Sequence, residues 1–162
     1  MIAVVMYFVA VVYPWLAAKK DYIQIELNGS YDSLKKAFHN VNVLIRALVF
    51  GSVGFLGSFA MYDLTLKAFV FVLFYGILSV FSFWFVFDTR LNKLRGRELG
   101  YIGLNAKTDN IMLSIYPNKT TNQAAKIQRL SLWVKILLFV LSNVLFWGYL
   151  VLNPLIFQFN AK

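Results

Sequence analysis

The chain has no cysteine, which excludes disulfides, thiolate catalysis and cysteine-held metal. Its one histidine, His39, cannot build a multi-histidine metal site. Acids are scarce: seven Asp and Glu stand against sixteen Lys and Arg, for a formal net charge of +9. The signature loops of common enzymes are missing too. There is no Gly-x-Ser-x-Gly, no Gly-Lys-Ser/Thr phosphate loop and no His-Glu-x-x-His. Gly100-Tyr101-Ile102-Gly103 is too short and isolated for a nucleotide fingerprint. No cofactor and no metal is expected from such an inventory.

What is present is hydrocarbon. The chain is 60% hydrophobic and 18% aromatic, whereas a soluble domain is about 45–50% apolar. Four apolar stretches fall at about residues 1–18, 41–62, 68–87 and 132–152, each near the roughly 20 residues that a membrane span needs. The expected fold is all-α: a single polytopic domain over residues 1–162, a four-transmembrane-helix bundle with two cytoplasmic loops. Met1–Ala18 carries no charge and is followed by Lys19-Lys20, the reverse of a secretory signal. Pro14 is expected to bend or end that helix near Tyr13. Tyr22-Ile23-Gln24-Ile25-Glu26-Leu27 alternates apolar and polar, which favours a short strand. Asp32 can cap a helix that starts at Ser33 and runs into the second span.

Fourteen of the sixteen bases lie in or beside two segments, 19–40 and 88–131, while only Lys67 and Lys162 fall elsewhere. The positive-inside rule then puts both long loops in the cytoplasm and both termini outside, in a bacterial inner membrane. Trp15, Trp84 and Trp133 would mark the inner interface, and Tyr62 and Tyr149 the outer one. Loop 88–131 holds eight bases against three acids, so the expected partners are the lipid bilayer and its anionic headgroups, through Arg90, Lys93, Arg95, Arg97 and Lys107. A protein partner or a second copy of the chain is the other occupant considered. Nucleic acid is not expected, because spans divide the charge.

Within the membrane, Ala47, Gly51, Gly54 and Ser58 are spaced 4, 3 and 4 and share a helical stripe suited to close helix packing. Asn143, near mid-depth, is expected to hydrogen-bond across helices, and Lys135 to snorkel outward. Arg46 lies about one turn inside the inner leaflet and needs a partner. Asp88, which follows the third span, is the expected one, forming an Arg46–Asp88 ion pair across antiparallel neighbours. Asp88, Asn92 and Arg95, at i, i+4 and i+7, share a face if Asp88–Leu94 continues that span as helix.

Two readings of this polar stretch follow. One is a site at the membrane surface, with Asp88 and Asp109 as carboxylates, Arg95 holding an anionic group, and Asn92 and Tyr101 orienting. The other is a helix stop with a salt bridge, a glycine turn and headgroup-binding bases. The second asks less of the sequence, and no catalytic residue is assigned. The run Phe87-Asp88-x-x-Leu91-Asn92-x-x-Arg95-Gly96, followed by Tyr101-x-Gly103-x-x-Ala106-x-x-Asp109, resembles a segment of small uncharacterised integral membrane proteins of Bacteroidota and their phages. That resemblance implies a source and no activity. The leading expectation is a non-enzymatic subunit or accessory factor whose basic loop engages anionic lipid or a protein partner. The alternatives are an enzyme acting at the membrane interface on a lipid or phosphorylated substrate, and a phage-type membrane-permeabilising protein.

Overall fold

A backbone surrounded by lipid has no water to satisfy its amides, so a long apolar run resolves into helix. The computed structural model describes the backbone of residues 1–28, 32–101 and 121–153, and the side chains of 1–25, 42–101 and 126–153. Among the described residues every regular element is helical: α1 Ile2–Asn28, α2 Asp32–Tyr62, α3 Leu66–Ser82, α4 Asp88–Leu94 and α5 Thr121–Leu152. A π-helical turn, Phe83–Phe87, joins α3 to α4. Four stretches are long and apolar enough to cross a membrane: Ile2–Ile25, Asn42–Tyr62, Leu66–Leu94 and Lys126–Leu152. The protein is an all-α, multi-pass four-helix bundle. α3 is its hub and packs against α1, α2 and α5.

Residues 63–65 link α2 to α3 tightly. Asp63 adopts φ 53°, a left-handed conformation that Asp tolerates better than most residues. The Thr65 hydroxyl donates to the Tyr62 carbonyl at 2.7 Å and closes the turn. At this hairpin end the Tyr62 hydroxyl also donates to the Asn153 carbonyl, and the Tyr149 hydroxyl to the Lys67 carbonyl. The apolar core gathers here, with Met6, Ala10, Tyr62, Ala68, Phe71, Tyr75, Leu78 and Phe146 in one cluster. Outward faces carry Leu44, Leu48, Leu56, Leu73, Val80 and Val144, all exposed, as a lipid-facing surface requires.

α4 ends at a glycine. Gly96 takes φ 63°, its N–H donates to Lys93 O, and the Arg97 N–H reaches back to Asn92 O at 2.8 Å. This is a Schellman closure, which glycine at that position permits without strain. Gly100 is just as constrained, because a Cβ there would overlap the Gln128 carbonyl of α5.

Several expectations are corrected. Tyr22–Leu27 is not a strand, since α1 runs unbroken to Asn28, through Pro14, whose ring is buried. Six alternating residues do not outweigh a helix already propagating from a span, where each further residue adds a hydrogen bond. The expected small-residue stripe is only half used. Gly54 and Ser58 are buried, and a Cβ on Gly54 would stand 2.8 Å from Tyr75 Cδ1. Ala47 is exposed and Gly51 meets nothing within 4 Å. Gly57, outside the stripe, lies against the Met6 side chain instead. Asn143 does not bridge helices; its amide donates to Phe139 O on its own helix at 2.7 Å. Lys135 does not snorkel, being 1% exposed.

Candidate functional site

A set of charged and amide side chains collects at the end opposite the hairpin. α1 presents Lys20 and Asp21 there, α2 Asn42 and Arg46, α4 Asp88, Arg90 and Asn92, and α5 Lys135. Each is placed by helical phase. Lys20 and Asp21 lie one turn beyond Ala17 and Ala18, two small residues buried against Phe87, so the same side of α1 turns toward its neighbours.

Among the described residues two ion pairs result, and neither is the expected Arg46–Asp88 pair. Arg46 Nη2 donates to Asp21 Oδ2 at 2.8 Å, with side-chain exposures of 11% and 18%. Lys135 Nζ donates to Asp88 Oδ2 at 2.8 Å, with exposures of 0% and 26%. Their places at the inner ends of antiparallel neighbours put Arg46 and Asp88 at similar depth but left their angular positions free. Arg46 turns toward α1, and its guanidinium lies 4.4 Å and 4.6 Å from the centroids of Phe83 and Phe87. Those rings stack on each other at 4.6 Å, so the cation meets a carboxylate and π faces together. Asp88, beyond the π turn, faces α5, where the Lys135 ammonium also stands 5.3 Å from the Trp84 ring.

Weaker contacts complete a belt. Lys20 Nζ donates to Asn42 Oδ1 at 3.1 Å, and the Arg90 guanidinium lies 4.8 Å from the Trp15 centroid. The belt therefore ties α1 to α2, α2 to the π turn, α4 to α1 and α4 to α5. A partly desolvated pair is strong evidence of a set geometry and weak evidence of net stability, because desolvation offsets much of the attraction.

Of the expected site residues, Asp88, Asn92, Arg95 and Tyr101 are described, and they are turned to different contacts. Asn92 is buried, and its amide is committed to the carbonyls of Leu99 at 3.2 Å and Tyr101 at 3.1 Å. Its role is to fasten the turn after α4. Arg95, at the end of α4, is exposed, so it does not share the inward face of Asp88 and Asn92. Tyr101 contributes its carbonyl to Asn92 and its ring to Arg97, whose guanidinium lies 5.0 Å from the centroid. Asp109 and Lys107 lie outside the described residues. Among the described residues no three His, Asp or Glu gather as metal ligands. Of the bases assigned to headgroups, Lys93, Arg95 and Arg97 are exposed, while Arg90 is half-buried against Trp15.

Sequence reasoning passed over Asp21 and gave Lys135 and Trp84 other places, the lysine snorkelling outward and the indole marking the interface. Asp21 was legible had α1 been carried past Ala18 as helix. Lys135 carried a signal of its own, being a cation inside a span, a position where pairing is the usual solution.

No family model, curated protein sequence or solved structure matches this chain.

Proposed function

We propose that the protein is a non-enzymatic, multi-pass component of a bacterial cytoplasmic membrane, whose basic end faces the cytoplasm and engages anionic lipid headgroups. Both termini then lie outside, as the bias of Lys and Arg toward one end requires. The observation that carries the reading is one of placement. Lys19, Lys20, Lys93, Arg95, Arg97, Lys126 and Arg129, from three separate helices, are all exposed at the same end of the bundle. Exposed Trp15 and Trp133 sit beside them, at the level where indole rings prefer a bilayer interface. Lys20 and Arg97 make internal contacts as well, and the remaining donors point outward. Committing the Asn92 amide to backbone carbonyls and Arg95 to the surface supports binding over catalysis.

Each base near an anionic surface contributes about 1 kcal/mol, screened over roughly 10 Å at 0.1 M salt. Purified full-length protein in nanodiscs is expected to melt at a higher temperature in phosphatidylglycerol than in phosphatidylcholine, with the difference shrinking in 0.5 M salt as about 3 Å screening sets in by 1 M. Replacing Lys93, Arg95 and Arg97 together with Gln should remove much of it. Equal melting in both lipids at low salt would reject the reading.

A further inference from the structure

Between the apolar core and the basic end, several inward positions of the helices are polar. On α3, Tyr75, Ser79 and Ser82 follow at i, i+4 and i+7 and are all buried. On α5, Ser131 and Lys135 occupy the buried stripe, and on α2 Ser58 does so. The hydroxyls of Ser58, Tyr75, Ser79, Ser82 and Ser131, and the Trp84 indole N–H, are enclosed with no hydrogen-bond partner among the described residues. The Tyr75 and Ser79 hydroxyls lie near one another, outside full hydrogen-bond geometry.

A hydroxyl in a membrane helix ordinarily returns to its own backbone, and this chain does so where it can. Thr89 donates to Phe85 O, and Ser142 to Phe139 O. The five inward hydroxyls do not. Leaving a polar group unpaired in an apolar interior is costly, and buried water is the usual partner of such groups, bonding about three at a time. The row also has direction. Asp88, a quarter exposed, stands at its basic end beside the enclosed Lys135. Thirteen residues earlier on the same strand of helix lies Tyr75, about 20 Å away at 1.5 Å per residue. Ser58 sits one turn past Gly54, the residue that Tyr75 covers. Beyond it the aromatic layer of Tyr62, Phe71, Phe146 and Tyr149 closes the hairpin end, with neighbouring centroids 5.2–6.0 Å apart.

We propose that the bundle encloses an aqueous half-channel: a file of water that enters past Ser131, one turn outside Lys135, passes Asp88, follows the hydroxyls of Ser82, Ser79 and Tyr75, and stops at the aromatic layer. Water is the ligand, and the half-channel gives protons from the basic end access to the middle of the membrane.

The cysteine-free chain permits a direct test. Full-length protein in liposomes is given single replacements Ser82→Cys, Ser131→Cys, Leu78→Cys and Leu73→Cys, each probed with a small cationic methanethiosulfonate. Ser82→Cys and Ser131→Cys should react at least tenfold faster than lipid-facing Leu73→Cys and than Leu78→Cys, which is equally buried among apolar groups. Rates at the two serine positions no faster than at Leu73, or as fast at Leu78 as at Ser82, would overturn the proposal; the second result would mean that the bundle opens as a whole. Melting of Ser82→Ala gives an independent readout. A hydroxyl bonded to water loses stability on removal, so the melting temperature should fall. A rise would mean a dry, orphaned hydroxyl and no half-channel.

Discussion

Asp88→Asn and Lys135→Met remove opposite ends of one contact, and the structure sets how unequal their effects are. The Lys135 side chain is fully enclosed and its ammonium bonds Asp88 at 2.8 Å. Neutralising Asp88 leaves that ammonium in a desolvated site beside the Trp84 ring, the situation in which losing one partner of a buried pair costs about 3–5 kcal/mol. Neutralising Lys135 leaves a carboxylate that is 26% exposed and can recruit water, so a smaller loss of about 1–3 kcal/mol is expected, the range for a lost hydrogen bond to a charged group. The double variant removes both charges and should recover most of the loss, because an apolar replacement of a buried pair is often neutral. The assay is reversible unfolding in mixed micelles, arranged as a double-mutant cycle. A parallel cycle of Arg46→Gln with Asp21→Asn should also show coupling, whereas Arg46→Gln with Asp88→Asn should be additive within about 0.5 kcal/mol. Equal losses from the two single variants at 88 and 135, or additivity between them, would refute the reasoning.

Three further outcomes are expected. Gly54→Ala places a methyl group against the Tyr75 ring and should destabilise the bundle by about 1–3 kcal/mol, while Gly51→Ala, which meets nothing, should be neutral or gain up to about 1 kcal/mol of helix propensity; detergent unfolding of the two separates them. Asn92→Ala frees the carbonyls of Leu99 and Tyr101, at about 1 kcal/mol for each bond lost, and should raise hydrogen exchange in 95–101 while leaving that of α3 unchanged. Single cysteines at Leu64 and Glu98, probed in intact cells with an impermeant maleimide, should label only at Leu64; the reverse pattern would invert the orientation.

The four spans were legible because hydropathy sums over about twenty residues, and local errors average out. The polar belt was less so, because it depends on angle. Arg46 and Asp88 were matched from rise per residue alone, which fixes height and ignores which way each side chain leaves its helix. Reading Tyr22–Leu27 as extended had a second effect: it took Asp21 off the helix face that meets Arg46, and so hid the true partner. Lys135 was read as an outward-reaching lysine because span membership does not reveal which face is buried. A stop such as that at Gly96 is open to reading from sequence, since it is a local matter settled by φ and two hydrogen bonds. The buried serines gave no sign in the sequence, because a serine that bonds its own backbone and one that faces the interior look alike there.

The π turn deserves its consequence. Each residue advances an α-helix by about 100°, and a π turn absorbs one surplus residue before regular winding resumes. The buried face of the third span steps through Phe71, Tyr75, Leu78 and Ser82, and then takes a five-residue stride to Phe87. Phe83–Phe87 thus sets the phase of everything after it, much as a keyway sets a shaft. Deleting one residue there would leave the span long and apolar enough to cross a membrane, yet would swing Asp88 about a quarter-turn away from Lys135. The orientation of the charged end is written in a residue count, and length variation of a single position is the means by which such a bundle could be re-aimed without altering its hydrophobicity.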